Sequence, residues 1–205
     1  MTIKHPLALA LALALQAGLV SPPAHAAADA LQPIAALDVP RYMGTWHEIA
    51  RFPNWFQKKC ASDTRADYRL LPNGRIQVIN RCREADGSLS EAVGEARQLG
   101  AADSPRLEVR FAPAWLSFLP MVWGDYWVID LDPEYRLVAV SEPSREYLLD
   151  PEYRLVAVSE PSREYLWVLS RTPEVDAQAY QRLVERLAAR GFEVGKLERS
   201  GLAPR

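Results

Sequence analysis

Histidine and cysteine are scarce in this 205-residue chain, at three and two residues, and their scarcity removes whole classes of chemistry. Once the N-terminal segment discussed below is set aside, His47 is the only histidine left, too few for a histidine-based zinc site. An excess of one charge is missing too. Lys and Arg number 24 against 26 Asp and Glu, so no basic balance points to nucleic acid. Beyond the N-terminus no run approaches the roughly 20 apolar residues needed to span a bilayer. What is there, 49% hydrophobic and 24% charged residues, suits one globular domain with a substantial core.

The N-terminus reads as an export signal. Lys4 and His5 precede an almost unbroken Leu/Ala stretch from Leu7 to Val20, and Ala24-His25-Ala26 has the small-x-small cleavage pattern. Residues 1–26 are therefore expected to be a cleaved signal peptide and 27–205 the folded domain. The stretch is short for a membrane anchor and ends in Ser21-Pro22-Pro23. No Cys stands near the cleavage point, so a lipid anchor is not expected. The mature protein is then periplasmic or secreted, and any outer-membrane association is made by other means. Export also puts Cys60 and Cys82 in an oxidising compartment, where a single pair has one intramolecular connectivity; a structural disulfide is expected.

Short period-2 runs dominate the rest. Thr64, Ala66, Tyr68 and Leu70 alternate with Arg65, Asp67 and Arg69; after Pro72-Asn73-Gly74, Ile76, Val78 and Asn80 alternate with Arg75, Gln77 and Arg81. Further strands are expected at 91–99, 107–111 with Arg106, Glu108 and Arg110 outward, 126–131, 137–141 and 165–171. Their spacing fits an antiparallel sandwich or barrel. One helix follows: Thr172 is a candidate cap, Pro173 fits the first turn and Gly191 the end, with Val175, Tyr180, Leu183, Val184 and Leu187 on one face. Such a stripe packs on the outside of the sheet.

Residues 131–148, LDPEYRLVAVSEPSREYL, are repeated without a change at 149–166. A solenoid needs at least three such units, so this is a local duplication of one hairpin. Its even length preserves side-chain parity and strand direction. Either the sheet gains two strands or one copy loops out. Widening a barrel strips its interior of contacts, whereas a longer loop costs closure entropy that grows slowly. That comparison favours eight strands over ten.

Three segments carry a family resemblance. Gly44-Thr45-Trp46 resembles the Gly-x-Trp signature of the lipocalins, Asp132-Pro133-Glu134-Tyr135-Arg136 their second motif, and Leu169-Ser170-Arg171-Thr172-Pro173 their third. Order and spacing match once one repeat is set aside, most closely in the manner of bacterial lipocalins of the outer-membrane-lipoprotein type, although the lipid-anchor Cys is missing. The resemblance implies an all-β fold, an eight-stranded antiparallel up-and-down barrel with a C-terminal α-helix. It also implies binding, storage or transport of a small hydrophobic ligand, a fatty acid or lysophospholipid, in the bacterial envelope, with no cofactor and no catalysis.

Candidate roles follow from alternation within that frame. Trp46 is large enough to close one barrel end, Gly44 admits a close backbone approach, and Arg171 can cover the indole; these three form the expected floor. If Arg171 faces the floor, parity turns Leu169, Trp167 and Tyr165 inward and nominates Ala66, Tyr68, Val78, Val109 and Phe111 on other strands. Each of these either lines a ligand cavity or simply packs the core. The apolar stretch 113–123, with Trp115, Leu116, Phe118 and Leu119, is expected at the open end as an entrance lid that also touches membrane lipid. An interaction module or homodimer built on that loop stays open as an alternative, as does a Cys-dependent activity. His47, next to an inward Trp46, turns outward and is a poor base for an interior nucleophile.

Overall fold

In the computed structural model the described residues are 31–141 and 163–201. The expected signal peptide and much of the duplicated hairpin lie outside them. Among the described residues nine strands form one sheet: β1 (Gly44–Arg51), β2 (Cys60–Leu70), β3 (Ile76–Glu84), β4 (Leu89–Gln98), β5 (Arg106–Arg110), β6 (Gly124–Leu131), β7 (Leu137–Ser141), β8 (Trp167–Ser170) and the short β9 (Glu198–Arg199). All neighbours are antiparallel, β8 pairs with β1, and β1 pairs with β2. The first eight strands therefore close on themselves, and β9 adds to β1 outside the ring. Closure leaves no long free edge among the described residues. The eight-stranded expectation holds: β7 comes from the first copy of the duplicated segment, and the chain re-enters the wall as β8 just after the second.

Alternation produces two cores. The inward face, with Trp46, Ile76, Val78, Ala96, Leu107, Val128, Val138, Val140 and Leu169, forms one cluster, joined by Leu37, Val39 and Tyr42 from the segment before β1. On the outward face Ile49, Ile129, Ala139 and Val168 meet Leu183 and Leu187 of α2 (Ala177–Ala189) in the second. Val175 and Tyr180 pack beside it as the stripe predicted. The carboxylate of Asp130 is buried at this seam and accepts two 2.8 Å bonds from Arg186, which pins the helix to the wall. The helix starts later than the sequence suggested. Asp176, not Thr172, caps it, accepting from the Ala179 N–H at 2.8 Å. The Thr172 hydroxyl donates instead to the Glu174 carbonyl.

Between β2 and β3 the turn is tight. Asn73 accepts from the Arg75 N–H, and Gly74 takes φ +78°, a region that side chains resist. Cys60 and Cys82 are joined, with Cα atoms 5.5 Å apart, tying the start of β2 to β3.

Candidate functional site

The three sequence motifs converge at one end of the barrel. Trp46, on β1, is fully buried and its indole N–H donates to the Tyr42 carbonyl at 2.9 Å. The guanidinium of Arg171, just past β8, lies 4.0 Å from the indole centroid, a contact worth about 0.5–2 kcal/mol. Its nitrogens donate to the carbonyls of Met43 and Arg41 at 2.8 Å and of Tyr135 at 3.2 Å. Arg171 thus ties the chain before β1 to the turn between β6 and β7. Gly44 takes φ +100°, and a Cβ there would stand 3.2 Å from an Arg171 nitrogen. Tyr135 sits in the left-handed region at φ +60°, and its hydroxyl accepts from the Asp38 N–H. With these groups satisfied from several strands, this end is closed.

Above the floor, Ala66, Val78 and Leu169 are buried in the inner core, while Tyr68, Val109, Tyr126 and Trp167 pack against it yet stay half-buried. Tyr42 and Tyr126 were not singled out by sequence reasoning. Their hydroxyls lie 2.8 Å apart, and Tyr68 joins them with its hydroxyl 3.2 Å from that of Tyr126. Burial pushes all three phenols up, Tyr68 to about 12, so they stay protonated and neutral at ordinary pH. A Tyr on the short helical turn α1 (Val39–Tyr42) carries no period-2 signal, which is why alternation overlooked Tyr42.

At the other end the loop Phe52–Lys59 brings Phe56 against Tyr165 and Trp167, with ring centroids 5.9 and 6.2 Å apart, and Tyr165 stacks on Trp167 at 9°. Gln57 holds the loop down. It accepts from the Trp167 indole at 2.9 Å and donates at 2.8 Å to Glu48, a buried carboxylate that also accepts from Arg51 and Ser200. This loop was also missed, since Asn54, Gln57, Lys58 and Lys59 mask its aromatic residues in a pattern search. Phe111 lies over Gly94 and is 44% exposed, so it sits at the rim and not deep in the barrel.

The 113–123 loop departs from a simple lid. Its last residue, Trp123, is buried on the outer wall with the guanidinium of Arg97 4.1 Å from the ring and those of Arg110 and Arg75 at 5.3 and 5.8 Å. Arg110, expected outward, does face outward, but it is buried beneath this ring. Glu95 bridges Arg75 and Arg110, and Glu108 pairs with Arg97. Leu116 and Leu119 are half-buried, while Trp115 and Phe118 are 72% and 74% exposed.

His47 faces outward across from Arg65, and burial together with that cation holds its pKa below 6.5. Grooves also lie on the surface outside the barrel. One of about 800 Å³ runs between α2 and the closed end past Asp132, Arg136 and Arg182, and another, about 480 Å³, flanks Trp55 and Tyr165. No cluster of three potential metal ligands occurs among the described residues.

Comparison with known proteins agrees with this geometry. The chain is 36% identical over 172 residues to temperature-induced lipocalin-1 of Arabidopsis thaliana, covering 83% of this chain and 82% of that protein. It is 34% identical over 160 residues to the outer membrane lipoprotein Blc of Escherichia coli K12, covering 78% and 76%. Mouse apolipoprotein D is 30% identical over 160 residues, covering 78% and 74%. Among solved structures, insecticyanin from the tobacco hornworm Manduca sexta superimposes with a TM-score of 0.60 at 15% identity, covering 84% of this chain and 85% of that one. Lobster apocrustacyanin A1 gives 0.59 at 11% identity, covering 82% and 81%. Residues 37–149 and 147–201 match the lipocalin-like domain, the two segments meeting inside the duplicated stretch, and the chain belongs to that family.

Proposed function

We propose that the barrel carries one small hydrophobic molecule, a fatty acid or lysophospholipid, entering at the open end and resting above Trp46. The observation that supports this most is the gradient along the inner wall. The floor is sealed, yet Tyr68, Val109, Tyr126 and Trp167 face inward and remain half-buried, so the inner wall keeps accessible surface between floor and mouth. In that space Ala66, Val78, Val109, Trp167 and Leu169 offer apolar contact, with Phe56 and Tyr165 at the entrance. Apolar burial supplies the affinity, at roughly 25 cal/mol per Å² before ordering costs. A barrel of eight strands is wide enough for one such ligand.

The open end also supports a peripheral membrane contact. Trp55, Phe56, Trp115, Phe118 and Met121 are all exposed, on two loops at the same end of the barrel, with Lys58 and Lys59 beside the first pair. Aromatic side chains among basic ones suit the headgroup level of a lipid surface, and docking mouth-first would pass a lipid directly inside. The bacterial relative is named an outer membrane lipoprotein, and we place this chain likewise in the envelope, exported by its N-terminal segment and held by these loops. Catalysis is not part of this reading: with Cys60 and Cys82 joined, a thiolate mechanism has no nucleophile among the described residues.

The test is native mass spectrometry of the purified protein without reductant, followed by extraction of what it holds. A fatty acid or lysophospholipid near one to one is the expected result. Protein that arrives empty, and whose Trp fluorescence does not respond to added C12–C18 fatty acids or lysophospholipids, would overturn the carrier reading.

A further inference from the structure

The three inner tyrosine hydroxyls do not balance. Tyr42, Tyr126 and Tyr68 form a row with links of 2.8 and 3.2 Å. Each phenol brings one proton and can accept as well as donate. Three protons and two links leave one O–H without an acceptor inside the row. Tyr42 is sealed at 1% exposure against Trp46, with ring centroids 5.0 Å apart. Tyr68 and Tyr126, in contrast, are half-buried on the inner face. The row therefore has a closed end on the floor and an accessible end toward the space above it, where the spare proton can be offered.

The acceptor that fits is neutral. The phenols remain protonated, so they add no charge to the site. The guanidinium of Arg171, whose charge is felt at Tyr42, is turned to the carbonyls of Arg41, Met43 and Tyr135 beneath the floor. A carboxylate brought here would be desolvated without a cation, which is costly. A hydroxyl or carbonyl oxygen needs only the donor that the row has to spare.

We propose that Tyr42, Tyr68 and Tyr126 form a polar subsite at the inner end of the barrel that takes an uncharged oxygen from the buried end of a bound chain. The preferred ligand is then an amphiphile with its charged head at the mouth and a hydroxyl or carbonyl near the far end, in place of a plain alkyl chain. This deepens the carrier reading and rests on it.

The experiment compares alkanoates of C8 to C16 with their ω-hydroxy counterparts, by Trp fluorescence titration, on the unaltered protein and on the Tyr68→Phe/Tyr126→Phe double variant. Removing two oxygens leaves the rings in place, and the plain alkanoate reports whether the barrel is still intact. For the unaltered protein the ω-hydroxyl is expected to strengthen binding about three- to ten-fold at the chain length that reaches the row. The double variant is expected to lose that preference and to bind the two ligands about equally at every length. Equal affinity for the two ligands at every length, or an equal loss for both in the double variant, overturns the subsite and leaves the carrier reading standing. If no member of either series binds the unaltered protein, the subsite falls together with the fatty-acid form of the carrier reading.

Discussion

The two ends of the barrel are built on opposite principles. At the closed end Trp46 is fully buried, Arg171 covers it and satisfies carbonyls from two separate stretches of chain, and Tyr135 and Gly44 hold unusual backbone angles to let this happen. At the open end Trp55, Trp115 and Phe118 stand largely in solvent, and what order there is comes from side chains such as Gln57 and Trp123 that fasten loops to the wall. Stability is concentrated where several strands share one plug, while the end left with apolar surface is the one able to meet a ligand or a lipid surface. The same aromatic residue type does opposite work according to which loop it closes.

That contrast can be broken most forcefully at the plug. Trp46→Ala removes the largest fully buried side chain and leaves Arg171 without its ring, so unfolding in denaturant is expected to show a loss of about 3–5 kcal/mol. A loss below 1 kcal/mol would mean that the closed end is not where stability resides. Reducing the Cys60–Cys82 bond, which closes a loop with a sequence separation of 22 at the open end, comes next, at about 3 kcal/mol on the chain-entropy view. It is read as the shift in midpoint between reduced and oxidised protein. Smallest is Trp115→Ser with Phe118→Ser, expected to leave stability within about 0.5 kcal/mol while lowering the fraction of protein that sediments with anionic vesicles. A large stability loss there would show that the loop packs as core, and unchanged vesicle binding would remove it from the lipid contact.

Much of the closed end could be read from the chain alone because its parts are local motifs. Gly44, Trp46, Asp132–Arg136 and Arg171 each sit in short segments with a characteristic pattern, and strand parity carried the inward assignment from Arg171 back to Trp167. The open end resisted the same reading. Phe56 and Trp123 sit in loops, where no periodicity says which way a side chain turns, and Trp123 goes to the outer wall because Arg97 of β4, Arg110 of β5 and Arg75 just before β3 converge there. Thr172 looked like a helix cap on local grounds, yet the helix begins only after Asp176.

Alternation of polar and apolar residues, the paired cysteines and the three motifs were enough to determine an eight-stranded barrel with a helix on its flank, because period-2 burial and turn chemistry act over a few residues. Only the tertiary structure decided which loop is fastened to the wall at the mouth and where the hydroxyls of Tyr42, Tyr68 and Tyr126 meet. Those contacts join residues up to 110 positions apart, and their geometry depends on closure of the whole sheet, which no local segment encodes.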